Sequence, residues 1–93
     1  MHFDWDTGNK AKCEKHGLTR ALVEAFFRSE PHVSPDPAHS KAEQRFIAVG
    51  RMPDGRAVFV AFCWRGDKIR PISARYMHEK EVRAYENRPR YDH

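Results

Sequence analysis

The chain has 93 residues, 40% hydrophobic and 32% charged, with a formal net charge of +4. That length sets one domain around one core and leaves no room for a separate cofactor domain, and the composition excludes a disordered chain. No apolar run approaches the roughly 18 residues of a membrane span, and no signal segment opens the chain. A cytoplasmic protein with two free thiols, Cys13 and Cys63, is therefore expected. The positive balance favours an acidic partner.

In chain order, Phe3 and Trp5 flank Asp4, an alternation that suits a short strand or a hydrophobic plug. Asp6 reads as an N-cap, and a helix is expected from about Thr7 to His16, closed by a left-handed Gly17. Lys15 and His16 sit in its last turn, where the helix dipole favours positive charge. They are either a cationic helix end or part of a phosphate site. Thr19 caps a second helix, Leu18 and Val23 form a hydrophobic staple, and Leu22, Val23, Phe26 and Phe27 make one apolar stripe. Pro31 ends it. Residues 31–44 carry three prolines, two histidines and two serines, and read as an irregular connection with room for a short strand near His32–Ser34.

Three strands come next: Phe46–Arg51, Ala57–Trp64 and Ile69–Arg75. Pro53-Asp54-Gly55 and Arg65-Gly66-Asp67-Lys68 supply the hairpin turns. Ala57–Trp64 is apolar throughout and is expected at the centre, buried on both faces. Pro71 cannot donate to a ladder, so its strand is at an edge there or bulged. Strict alternation separates Arg70 from Ser73 and Arg75, whereas a bulge brings them to one face. From Met77 onward the residues favour a helix, with Glu79 and Arg83 at i,i+4 spacing. The polar tail 87–93 reads as frayed. The expected fold class is α+β: one domain over 1–93, with a small antiparallel meander packed by two N-terminal helices and one C-terminal helix.

The junction of the last strand and helix concentrates Arg70, Ser73, Arg75, Tyr76, His78 and Glu79. Core packing has no need of them; a phosphate ester does. RNA can be cut without a metal when a base deprotonates the 2′-hydroxyl, an acid protonates the leaving 5′-oxygen, and cations stabilise the phosphorane. Arg51, Arg70, Arg75 and Lys15 are the candidate phosphate clamps. His16, Tyr76 or Glu79 are candidates to move protons. Cys13 and His16 form a single i,i+3 pair, and no second pair has zinc spacing.

An ordered set of short motifs runs along the chain. Phe3-x-Trp5-Asp6 leads to Lys15-His16-Gly17, then Pro35-Asp36-Pro37-x-His39-Ser40, Glu43-x-Arg45 and Gly50-Arg51. Ile69-Arg70-x-Ile72-Ser73-Ala74-Arg75 is next, then Glu81 and Tyr85. The series resembles the BrnT toxins of bacterial type II toxin–antitoxin systems. Two positions depart from the usual pattern: Cys13, where many members have Asn, and Tyr76, where they have a second basic residue.

The resemblance implies a RelE-like ribonuclease that cleaves RNA, arrests translation and needs no metal or other cofactor. It implies neutralisation by a ribbon-helix-helix, BrnA-like antitoxin, with operator DNA bound only through that antitoxin and no membrane partner. Lys15, His16, Arg51, Arg70, Ser73, Arg75 and Glu79 are the implied site positions. The alternative is an inactive toxin-like module that acts through antitoxin binding and operon repression.

Overall fold

The structure is a computed structural model and describes residues 1–89. Five strands and three helices make it up: β1 (His2–Phe3), α1 (Thr7–Glu14), α2 (Arg20–Arg28), β2 (His32–Pro35), β3 (Phe46–Arg51), β4 (Ala57–Arg65), β5 (Lys68–Tyr76) and α3 (Glu79–Glu86). A single 3-10 turn at Pro37–His39 interrupts the connection between β2 and β3.

The sheet has the order β1-β5-β4-β3-β2. β2, β3, β4 and β5 are antiparallel neighbours, but β1 pairs parallel with β5 through His2 and Phe3. The sheet is therefore mixed, which corrects the expectation of a purely antiparallel one. The alternation of Phe3 and Trp5 allows a strand but not its partner, and the next residue helps to place it: Asp4 donates its amide to the Ile69 carbonyl at 2.8 Å. β4 sits at the centre as expected, buried along nearly its whole length.

The helices divide between the two faces. On one, Cys13, Leu18, Val23, Phe26 and Phe27 from the α1–α2 region close over Phe46, Ala48, Val58, Val60, Phe62 and Ala74. On the other, Val82 and Tyr85 of α3 pack on Ile47, Val49, Ala57 and Phe59. Alternation along β3 and β4 supplies both apolar sets, which is why both faces need a cover.

Local chemistry explains the helix ends. Asp6 Oδ1 accepts the Asn9 amide at 2.9 Å, and Asn9 Oδ1 accepts the Asp6 amide in return at 2.8 Å. Asn9 is buried and donates to the Pro71 carbonyl at 2.8 Å, fixing α1 to β5. α1 stops at Glu14, earlier than the His16 expected; Gly17 turns the chain at φ +86°, and Leu18 enters the core. Thr19 Oγ1 caps α2. That helix ends at Arg28, before Pro31: Ser29 Oγ donates to the Phe26 carbonyl and Glu30 turns left-handed at φ +56°.

β5 is bulged. Phe62 faces Pro71 and Ala61 faces Ser73, so Ile72 has no opposite number. Arg70, Ser73 and Arg75 consequently face Cys63, Ala61 and Phe59, all on the α3 side of the sheet. Part of the expected frayed tail, residues 90–93, lies outside the described residues. Arg88, within them, donates to the Pro35 carbonyl at 3.0 Å and lies over the Tyr85 ring.

Candidate active site

The end of the sheet at which β5 runs into α3 holds an open cleft of about 310 Å³, lined by Arg51, Gly55, Arg56, Ala57, Tyr76 and Met77–Glu79. Arg51, the last residue of β3, donates Nη2 to Glu79 Oε2 in the first turn of α3 and Nη1 to the Gly55 carbonyl at 3.0 Å. The guanidinium holds Glu79 below the ordinary carboxylate range, so Glu79 is ionised at neutral pH. Both side chains are about half exposed, 45% and 65%. In water such a pair exchanges readily for another anion on the arginine.

Arg75 projects from the same face. Its Nη2 reaches Glu81 Oε2 at 3.0 Å, and its guanidinium lies 4.7 Å from the Phe59 ring centroid. Glu81 also accepts the His78 amide at 3.1 Å, so one carboxylate ties Arg75 to the start of α3. Arg75 is the first cause of Glu81's lowered pKa. The i,i+4 pairing expected for Glu79 and Arg83 is replaced by Arg51–Glu79; Arg83 acts on Glu79 only through its charge.

Tyr76 faces the α1–α2 side. Its ring packs against that core, and Arg56 stacks on it with its guanidinium 4.1 Å from the centroid. The turn carrying Lys15 and His16 meets it there: a β-carbon on Gly17 would lie 3.9 Å from Tyr76 Cε2. Lys15 caps α1 and His16 is the next residue, both exposed. His16 and Cys13 do not form a pair, since the Cys13 thiol is buried in the core.

Arg51, Tyr76 and Glu79 thus share one cleft, Arg75 adjoins it, and the Lys15–His16 turn abuts it. Arg70 does not join them. It lies five residues before Arg75 on β5, roughly 15 Å away at ~3.3 Å per residue. There it bonds Asp6 at 2.5 Å and Asp4 at 3.5 Å. Ser73 lies between, half-buried, on the same face. Sequence reasoning missed Arg56, which lines the cleft, and the Arg75–Glu81 pair beside it. Arg56 bonds Asp54 within its own turn, but its stacking on Tyr76 joins two elements that no spacing along the chain connects.

The geometry defines a small, basic α+β protein with a cleft of arginines, a tyrosine and a carboxylate at a strand–helix junction. A family model described as the ribonuclease toxin BrnT of type II toxin–antitoxin systems matches residues 5–81. The chain belongs to this BrnT family of ribonuclease toxins. A search of curated proteins finds no match. The family description implies an RNA target and an antitoxin partner. Among the described residues, no helix is long and apolar enough to cross a membrane.

Proposed function

We propose that this chain is a cytoplasmic RNA endonuclease of the mRNA interferase type, acting as one RelE-like toxin domain without a metal or other cofactor. Family membership over residues 5–81 carries this reading. The junction cleft supports it, because it offers each group that metal-free phosphodiester cleavage requires.

Arg51 and Arg75 bind the scissile phosphate and stabilise the dianionic phosphorane, with Lys15 adding positive charge from the α1–α2 turn. The substrate phosphate replaces Glu79 on Arg51. Glu79, released as an ionised carboxylate, or His16 takes the 2′-hydroxyl proton. The 2′-oxygen attacks phosphorus, the P–O5′ bond breaks, and Tyr76 or His16 protonates the departing 5′-oxygen. The products are a 2′,3′-cyclic phosphate and a 5′-hydroxyl. Ser73, farther along β5 on the same face as Arg75, contacts the strand beyond the scissile bond, and Arg70, held by Asp6 and Asp4, keeps the start of β5 against α1.

Cleavage of messenger RNA arrests translation. A ribbon-helix-helix antitoxin of the BrnA kind neutralises the toxin, and the complex reaches operator DNA through the antitoxin. An acidic antitoxin segment and RNA would compete for the same positive charge. The second reading is an inactive module that only binds antitoxin. It is favoured by the carboxylates already seated on Arg51, Arg75 and Arg70.

The deciding experiment is cleavage of labelled RNA by the purified protein in EDTA, beside Arg51→Ala and Arg75→Ala. Cleavage that persists in chelator and is lost in both variants supports the endonuclease. Antitoxin binding without cleavage, and without growth arrest on expression, supports the inactive module.

A further inference from the structure

A second positively charged cleft lies on the α3 face of the sheet, at the opposite end of β5. It encloses about 330 Å³ between the start of α1, the loop before β3 and the β4–β5 hairpin, and Lys12, Arg45, Arg65 and Arg70 line it with Asp6 and Glu43. The junction makes no use of Asp6, Glu43 or Arg45, although all belong to the motif series along the chain.

Its charges are unequally committed. Arg70 is held by Asp6, whose other oxygen caps α1, so this pair is structural. Arg65 donates to Glu43, but both partners are more than two-fifths exposed and Glu43 belongs to an irregular loop. Arg45 is half-buried, and among the described residues its guanidinium has no carboxylate partner. Lys12 at the rim is likewise unpaired among them. Arg65 Nη1 lies 3.2 Å from the buried Cys63 sulfur, and the charges of Arg45 and Arg70 also bear on that thiol. With Arg65 and Arg70 paired to Glu43 and Asp6, the charges of Arg45 and Lys12 are left over among the described residues, and a cleft with that surplus is a receptor for an anion.

We infer that this cleft is a phosphate subsite for the RNA strand remote from the scissile bond, with Arg45 as its fixed contact and Arg65 recruited when the phosphate displaces Glu43. The inference rests on the ribonuclease reading and extends it. The bulge at Ile72 makes the two sites continuous, since Arg70, Ser73 and Arg75 share one face between them. The separation of roughly 15 Å between Arg70 and Arg75 is within reach of one RNA strand a few nucleotides long. RNA that spans both clefts gains a contact that a trinucleotide confined to the junction lacks.

The test measures binding of a 2′-O-methyl RNA of about 12 nucleotides and of its trinucleotide, across a salt series, to wild type, Arg45→Gln and Glu43→Gln. Arg45→Gln is expected to weaken the long RNA roughly ten-fold and to lower the slope of log K against log salt by ~0.7, one phosphate contact. With cleavable RNA, its KM rises while kcat moves less than two-fold. Glu43→Gln is expected to tighten the long RNA a few-fold by freeing Arg65. Melting curves check that each variant folds, and Glu43→Gln, at an exposed loop position, keeps the test open should Arg45→Gln unfold. Long RNA bound equally by wild type and a folded variant pair overturns the inference. So does an unchanged RNA affinity with weakened binding of a glutamate-rich peptide, which assigns the cleft to an acidic protein. Wild-type protein that binds no RNA at all overturns the ribonuclease reading itself, a separate failure.

Discussion

Arg75 lies over the ring of Phe59, its cross-strand partner, with the guanidinium carbon 4.7 Å from the ring centroid. The ring fixes the plane of the guanidinium, and Glu81 fixes its azimuth. Charge and placement are therefore separable. Arg75→Ala should lower RNA cleavage by about 100-fold or more, the usual loss when one transition-state donor is removed. Phe59→Leu keeps every charge but frees the guanidinium, and should lower kcat by roughly ten-fold while KM changes little. Single-turnover cleavage by the two variants reads the difference.

The bulge in β5 makes a prediction about length. Phe62 faces Pro71 and Ala61 faces Ser73, so removing Ile72 leaves every other residue on its present face. The Ile72 deletion should fold and cost about 1–2 kcal/mol, lowering Tm by roughly 5–15 °C. Removing Ala74 instead slips Arg75 to the position facing Val60, inside the α1–α2 core. That buries an unpaired guanidinium, and the deletion should not fold. Thermal melts monitored by circular dichroism decide both.

These ion pairs also set the acid limit of stability. Asp6, Glu79 and Glu81 are each held below their ordinary values, 3.8 for Asp and 4.5 for Glu, chiefly by hydrogen bonds from Arg70, Arg51 and Arg75. A depressed folded pKa means that the native state binds fewer protons than the unfolded chain. The stabilisation is complete above the ordinary values and is lost as pH falls through the lower folded ones. The denaturant midpoint should hold from pH 7 to about 5 and drop below pH ~4.5, less steeply in Glu81→Gln. Added salt should shrink the drop, since all three carboxylates are solvent-facing.

The range of each interaction decides whether the sequence discloses it. The caps at Asp6 and Thr19, the Gly17 turn and the apolar run of β4 are local, and each is readable within a few residues. β1 is only half readable: the alternation of Phe3 and Trp5 allows a strand there, but its parallel pairing with β5 spans most of the chain. Pro71 announces an irregular strand without choosing between an edge and a bulge. The bulge comes from packing: Ile69 and Ala74 both enter the α1–α2 core, which requires one extra residue between them. Arg51 is expected as a phosphate clamp, and the structure places it in the lining of the junction cleft. Its partner Glu79 is 28 positions away, whereas local spacing points to Arg83.

The two thiols should prove inert in the folded protein. Cys13 is fully buried and its pKa is pushed up to about 11, first by burial and then by Glu14. Cys63 is also raised by burial, although Arg70 and Arg45 pull the other way. Alkylation at pH 7.5 and then mass spectrometry should show neither site labelled natively and both in denaturant. Native labelling of Cys63 alone would mean that the arginines outweigh burial.

Tyr76 has two separable tasks, and its hydroxyl carries only one of them. The ring packs on the α1–α2 core and receives Arg56 on its face, 4.1 Å from the centroid. Tyr76→Phe retains both contacts, so Tm should stay within about 2 °C of wild type. If the phenol delivers the proton to the leaving 5′-oxygen, cleavage falls by roughly 100-fold or more and the basic limb of the pH–rate profile changes shape. Arg56→Ala removes the stacking partner and leaves the hydroxyl in place. It should lower activity by about ten-fold with the pH profile intact, because the ring is held less well but its chemistry is unchanged. A Tyr76→Phe variant with wild-type cleavage would transfer the acid role to His16, whose turn meets the ring at Gly17. In that case His16→Ala should abolish cleavage on its own.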